Sequence, residues 1–560
     1  MISFQTATID TDVLIVGGGL AGCMAAIRSS ELGAKTVLAE KGNTRRSGMA
    51  GAGIDHIWSY VPELHEPLGY TMEDMVRDQT EHAEGFLNQD VCLTAVRLVY
   101  DRVRDLERFG VPVRDENGNF RVLKRVHRVP SELHVAGRDM KVRLTEQVQG
   151  HSVPILNRVM ITDLLVNDGR ICGAVGVSTR KPLLYVFKAK AVVISTGGVQ
   201  RLWKSTSGMP SNIAYPPHET GDGHAMCFRA GAEIYNMEYS PRHSGPKNLE
   251  KSGLGSWYAA RPVNAFGEAP PGQYTWDPVY YRNMVLASPE WIEKQITQGK
   301  GPVYADHSGA PEETLQYQRW ALENEGNLTL LFEQAGADFR GKKIEFEVYE
   351  PRSGRGHAGV GIDAKCAASL PGLFAAGDCV GGMFRSVSGG ALALGWQAGE
   401  SAADWARLTG PAHLGDQAAA TASAVESRCE AIANRRIGAS WQEAQLALQN
   451  IMDYYVGRPR TESMLEAGHV RLCLVREQIQ NELSADSPHA MMRCLEVLNL
   501  LDAAEMVILS AKERRETRPA WGHIRADYPM KDDANWLRFL AVVRRDSGAE
   551  VVSRAIRYIL

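Results

Sequence analysis

The stretch TDVLIVGGGLAGCMAAIRSSELGAKTVLAEK, residues 11–41, sets the architecture of the chain. Asp12 to Val16 reads as a buried strand, followed by a glycine turn, a helix to about Leu32 and a second strand ending at Glu40. Gly17, Gly19 and Gly22 supply GxGxxG: the first permits a sharp strand-to-helix turn, the second lets backbone approach a pyrophosphate, and the third lets helix and strand pack closely. A helix opening on this turn points free N–H groups and its positive dipole end at phosphate, with Ala21 in its first turn. Glu40 stands 18 residues after Gly22, where a carboxylate accepts from ribose hydroxyls and disfavours a 2′-phosphate. Lys41 follows it. From this unit alone, NAD instead of FAD remains open.

Around it lie 560 residues, 44% hydrophobic and 23% charged, enough for roughly three or four domains of about 150 residues. The formal charge of −4 comes from interspersed charges, so neither a nucleic-acid groove nor a polybasic membrane patch is expected. The nine cysteines are scattered and form no CxxC pair, so no iron-sulfur or zinc site of the chain's own is expected. MISFQTATID lacks the basic region of a secretory signal, and Val13 to Ile27 is too short and glycine-rich for a membrane span. A reducing cytoplasm is the expected compartment.

Two distant segments decide the cofactor. FKAKAVVISTGGVQ (187–200) is a strand running into a glycine turn that includes Gly197, and PGLFAAGDCVGG (371–382) is a strand ending in Gly377 and Asp378. Both read as parallel strands of one sheet. A strand-to-glycine segment followed later by AAGD resembles the FAD-binding domain of the fumarate reductase, succinate dehydrogenase and adenylylsulfate reductase flavoproteins. That resemblance implies FAD, with Asp378 on the ribityl chain. In KGNTRRSGMAGAG (41–53), Ser47 and Gly48 stand where respiratory members carry a histidine bonded covalently to the flavin, so a noncovalent FAD is expected. PPHETGDGHAMCFRAGAEI (216–234) contains the TGDG turn, and Asp222 is expected to help position FAD.

From about residue 235 to 346 periodicity gives way to Pro, Gly and aromatic residues, the mark of an inserted substrate domain. By resemblance this cap carries a substrate-facing arginine, and YRNMV (281–285) makes it Arg282. A guanidinium suits carboxylate, sulfate or phosphate through its fork. His243, Trp257, Arg261 and Trp276 are secondary candidates. IEFEVYEPRSGRGHAGVGID (344–363) places His357 at the family's flavin-facing histidine. GDCVGGMFRSVSGGALALG (377–395) departs from the NRLG arginine that binds a dicarboxylate in fumarate and succinate enzymes. Its spacing resembles adenylylsulfate reductase α subunits, with Arg385 at their basic residue, and a C4-dicarboxylate is therefore disfavoured. Ser388, Gly389 and Gly390 open a helix whose N–H groups would stabilise the flavin's reduced anion.

Residues 412 to 510 have helical spacing and read as an antiparallel bundle, and ETRPAWGHIRADYPMKDDANWLRF (516–539) resembles the family's tail. The expectation is an α/β chain: a Rossmann-type FAD-binding domain (1–234 and 347–408), an inserted α+β capping domain (235–346) and a C-terminal helical domain with tail (409–560). Its expected activity is electron-pair transfer between a small anionic substrate and FAD, with electrons exchanged through a ferredoxin-like iron-sulfur subunit, in an oligomer or alone. A stand-alone oxidase or dehydrogenase of the fumarate reductase, L-aspartate oxidase or ketosteroid dehydrogenase kind is the alternative. A flavin-binding scaffold without catalysis, or a tRNA-modification protein of related fold, is a third reading, and the near-neutral charge argues against tRNA.

Overall fold

The computed structural model describes residues 3–123, 128–205, 215–247, 260–271, 289–325, 340–341, 343–383, 387–457 and 459–560. Its central strand, β1 (Gln5–Val16), starts seven residues before the sequence reading placed it. β2 (Thr36–Glu40) pairs parallel to its C-terminal half, and β3 (Leu183–Ile194) runs parallel along its whole length. β4 (Leu373–Ala375) pairs parallel with the last residues of β3, as expected of two distant strands in one sheet. Strand Ile155–Asn157 lies outside β2. The antiparallel hairpin Val159–Asn167 and Arg170–Ser178 completes the sheet beside the first half of β3. Residues 13–16 of β1, 37–39 of β2 and 191–194 of β3 are buried on both faces and are runs of Val, Ile, Leu and Ala instead of alternating patterns.

Val16 is in register with Ala39 and Ile194, and Ile194 with Ala375. The next residues in register, Gly17, Glu40, Ser195 and Ala376, therefore share one edge, with Gly377 and Asp378 directly beyond Ala376. Ligands of open parallel sheets bind at this edge, outside the carboxyl ends of the strands. Glu40 and Asp378 stand three strand spacings apart on it, about 14 Å at about 4.8 Å per step.

Helices α1 (Leu20–Glu31), α2 (Met140–Gly150), α3 (Asp222–Arg229), α4 (Glu312–Asn324), α5 (Val387–Leu408) and α6 (Pro488–Glu513) position the site. A Cβ on Gly395 or Gly399 would lie 2.4 Å from Ala21 O or 2.5 Å from Ala25 O. The two glycines, one turn apart on α5, thus let its backbone lie directly on α1. The cap has its own core of Ile292, Val303, Leu315, Leu322 and Phe346. Its antiparallel sheet is ordered Ser244–Pro246, Ile344–Val348, Val303–Asp306, Arg261–Val263. The bundle comprises Asp416–Asn434, Trp441–Tyr455, Glu462–Glu482 and α6. Beyond it the tail forms the hairpin Phe539–Arg545 and Gly548–Arg554, which joins Ile234–Tyr235, Gly359–Gly361 and Val380–Gly381 in a second sheet. No helix among the described residues is long and apolar enough to cross a membrane.

Candidate functional site

The glycine turn is shaped by what each missing side chain would strike. A Cβ on Gly17 (φ +98°) would lie 2.5 Å from Ser195 O, and one on Gly22 only 1.9 Å from Gly17 O. Gly19 differs: a Cβ there would meet nothing nearer than 4.0 Å, so the space ahead of α1 is open. No side chain caps α1, and its first turn contains no acid. Its free N–H groups and positive dipole end thus face that space. Glu40 accepts from the Gly18 N–H at 2.7 Å and the Gly42 N–H at 2.5 Å. Ser47 Oγ donates to Gly18 O at 3.2 Å, and Gly48 packs against the Gly19 Cα. Ala21 lies beneath Gly377 and Gly395.

Lys41 and Asp222 are drawn into a buried ionic cluster. Lys41 Nζ donates to Asp222 Oδ2 at 2.7 Å, to His218 O at 2.6 Å and to Thr220 Oγ1 at 3.1 Å, and pairs with Glu496 of α6 at 2.8 Å. Burial opposes its charge, yet Asp222 and Glu496 hold its pKa above the usual lysine range. Asp222 Oδ1 accepts from Thr220 and from Asn499 of α6. Arg201 and Arg493 each lie 2.7 Å from Glu496 Oε2. Sequence reasoning missed Glu496, although Glu496, Asn499, Asp502 and Glu505, three apart in the otherwise apolar stretch 494–509, were a readable signal.

At the other end of the edge, Gly377 (φ +80°) turns the chain and Asp378 follows. Asp378 Oδ1 is buried with no hydrogen-bond partner, and Oδ2 lies 3.8 Å from Arg355 Nε. Burial raises the Asp378 pKa, against the pull of Arg355 and Arg352. Gly197 (φ +75°) leaves room for Glu219, whose carboxyl carbon would lie 2.9 Å from a Cβ there. Burial and neighbouring Asp378 push the Glu219 carboxyl up to about 8. Arg352 and Arg355 both donate from Nη1 to the phenol oxygen of Tyr215, Arg355 at 2.8 Å. His357 is buried against Trp521, ring centroids 5.3 Å apart, and its Nε2 has no partner. Burial, Arg352 and Arg355 lower its pKa to about 3, so the ring is neutral at ordinary pH. Of this cluster sequence reasoning singled out His357 and Asp378. Arg352 and Arg355 were passed over although they stand five and two residues before His357, and nothing marked Tyr215 or Glu219.

Ser388 Oγ donates to His56 O at 3.2 Å, and Gly389 lets α5 rest on Trp58 O; Gly390 lies in the same first turn, which contains no acid. The cap meets this region through α4: Tyr317 stacks on His134 at 4.6 Å and bonds it at 3.0 Å, while Asn324 O lies against Gly53. Asp55, His56 and Glu325 bring donor atoms within 4.8 Å of one another at this seam. Asp55 bonds His56 Nδ1, and Glu132 lies 3.4 Å from its Nε2, so the ring is engaged on both nitrogens. His243 packs edge-on to Tyr215, and Arg261 is exposed on the cap sheet. Arg282, Arg385, Trp257 and Trp276 lie outside the described residues.

Comparison with known proteins decides the family. Residues 12–256 match the family described as FAD binding domain, and residues 445–558 match the one described as Fumarate reductase flavoprotein C-term. The chain belongs to the fumarate reductase flavoprotein family. It is 28% identical to a subunit of the fumarate reductase (CoM/CoB) of Methanothermobacter marburgensis, over 97% of this chain and 98% of that one. It is 26% identical to L-aspartate oxidase of Streptomyces coelicolor, over 95% and 91% respectively. Its fold matches adenylylsulfate reductase from Archaeoglobus fulgidus at a TM-score of 0.87 and 24% identity, covering 100% of this chain and 97% of the other.

The cofactor of this flavoprotein is FAD, and the strand edge fits it. The open space over Gly19 and the uncapped end of α1 suit a pyrophosphate, Glu40 the ribose, and the partnerless buried oxygen of Asp378 a ribityl hydroxyl. The chain is an FAD-dependent oxidoreductase of this family.

Proposed function

We propose that this chain transfers an electron pair between a small anionic substrate and noncovalently held FAD, and exchanges electrons with a ferredoxin-like iron-sulfur subunit. When bound, FAD accepts electrons in pairs and releases them singly. The chain's residues do the rest. Glu40 and Asp378 orient the cofactor from opposite ends, and Arg352 and Arg355 bind the substrate's anionic group. His357, neutral, offers Nε2 to the substrate, and Arg282 and Arg385 complete the substrate side.

The observation that carries this reading is the convergence of two guanidiniums on one oxygen atom, that of Tyr215, beside Asp378 and His357. Guanidinium groups aimed at a shared oxygen bind carboxylate, sulfate or phosphate strongly and directionally. The Methanothermobacter relative is one subunit of its enzyme, which supports a partner chain here. The L-aspartate oxidase relative favours a second reading, a stand-alone enzyme reoxidised by oxygen.

One experiment separates these. Anionic compounds are screened anaerobically for bleaching of the bound flavin, and the photoreduced protein is then exposed separately to fumarate and to air. The account predicts bleaching by a sulfonate, phosphate or non-C4 carboxylate, with succinate and fumarate inert because GGALALG lacks the dicarboxylate arginine. Turnover of fumarate would overturn that part, and rapid reoxidation by air with peroxide formed would favour the stand-alone enzyme.

A further inference from the structure

Helix α2 packs against α1 and buries Met140, Leu144 and Val148, as an amphipathic helix should. On the same buried side it carries Lys141, 0% exposed. The Lys141 ammonium donates to the Gly18 carbonyl and, at 3.1 Å, to Cys23 Sγ. Among the described residues no carboxylate lies within ion-pairing distance of it. Other buried cations are treated differently: Lys41 meets Asp222 and Glu496 at 2.7 and 2.8 Å, Arg201 meets Glu496 at 2.7 Å, and Arg514 meets Glu238 at 2.5 Å. Burying an ammonium without a counter-charge is costly, and a long apolar side chain would fill the same place at lower cost.

The peptide that Lys141 holds explains its presence. Gly18 is gripped from three sides, with Glu40 on its N–H and both Ser47 and Lys141 on its carbonyl. The next residue is Gly19, over which the turn stands open, and then α1 begins. We propose that Lys141 is a positioning residue for the FAD pyrophosphate, which it serves by fixing the Gly18 peptide and by lending the phosphates a buried positive charge. In the loaded protein that charge and the phosphates neutralise one another across the glycine turn. Without the cofactor the ammonium is a burden on the fold.

Opposite signs then follow for the two states. Ser47 Oγ and Cys23 Sγ also donate to Gly18 O, so a Lys141→Met substitution leaves that carbonyl bonded while removing the charge and the ammonium's own hydrogen bonds. The full chain is stripped of FAD, and melting and binding are measured for wild type and variant with FAD, ADP and adenosine as probes. The variant should melt higher than wild type when empty and gain less on adding saturating FAD. Its Kd for FAD and for ADP should rise at least about tenfold, with that for adenosine unchanged, because only the phosphates are charged. Unchanged affinity for FAD and ADP would overturn the proposal, and so would equal losses of stability in the empty and loaded states. A variant that fails to fold would also contradict it, since removal of an uncompensated charge is expected to stabilise the empty protein.

Discussion

The two ends of the strand edge are built on different principles. The nucleotide end comes from one local segment: Gly17, Gly19, Gly22 and Glu40 lie within 24 residues, and close backbone approaches at Gly17 and Gly22 shape it. The proposed substrate end is assembled from Tyr215, Glu219, Arg352, Arg355, His357 and Asp378, which the chain brings together from three separate stretches. The first end is intolerant of shape, and the second of charge. Steric substitutions should therefore dominate at one end, and charge-changing substitutions at the other.

The largest effect is expected at Gly22, where an alanine Cβ would lie 1.9 Å from Gly17 O. Gly22→Ala should yield protein without FAD, measured as flavin absorbance per chain after purification. A normally loaded Gly22→Ala protein would show that the turn does not bind as described. Next comes Asp378→Ala, which removes one charged hydrogen-bond acceptor and should weaken FAD binding by about ten- to a hundredfold, roughly 1.5–3 kcal/mol. Equilibrium titration of the stripped protein checks this, and an unchanged Kd would detach Asp378 from the cofactor. Arg282→Ala should cost about tenfold in turnover, roughly 1.4 kcal/mol, with FAD fully bound. Unaltered kinetics would remove Arg282 from the substrate end.

The last prediction is a pH dependence of stability. Glu219 ionises near 8 in the folded protein against an ordinary value of 4.5, so between these values the folded state holds a proton that the unfolded state has lost. Stability therefore falls as pH rises from about 4.5 to about 8 and levels off above. Glu219→Gln should flatten that part of the melting profile of the stripped protein. An equally steep fall in the variant would show that another group carries it.

The two ends also differ in how far the sequence reveals them. Residues 11–41 disclose strand, turn, helix and acid in order, because each follows from spacing along a short segment. AAGD and STGG could be matched to parallel strands because buried strands of such sheets are continuous apolar runs. The start of β1 escaped notice, since Gln5 to Thr11 is polar and its pairing with β3 is a tertiary matter. The tail hairpin was missed for the same reason: its partners lie far away in sequence, at Ile234, Gly359 and Val380. Lys41 and Asp222, read as cofactor contacts, are bonded to α6, a helix whose docking on the nucleotide domain no local pattern discloses. Arg352 and Arg355 stood in the quoted PRSGRGH segment, yet only the fold shows that both reach Tyr215.

What joins the two ends is the proposal that Arg352 and Arg355 hold the substrate's anion against an FAD gripped at Glu40 and Asp378. The decisive measurement is a titration of the loaded Arg352→Ala/Arg355→Ala protein with sulfate, phosphate and a series of carboxylates and sulfonates while the flavin spectrum is recorded. Full FAD occupancy with no anion-induced spectral change is predicted, against a saturable change in wild type. The same saturable change in the double variant would contradict it.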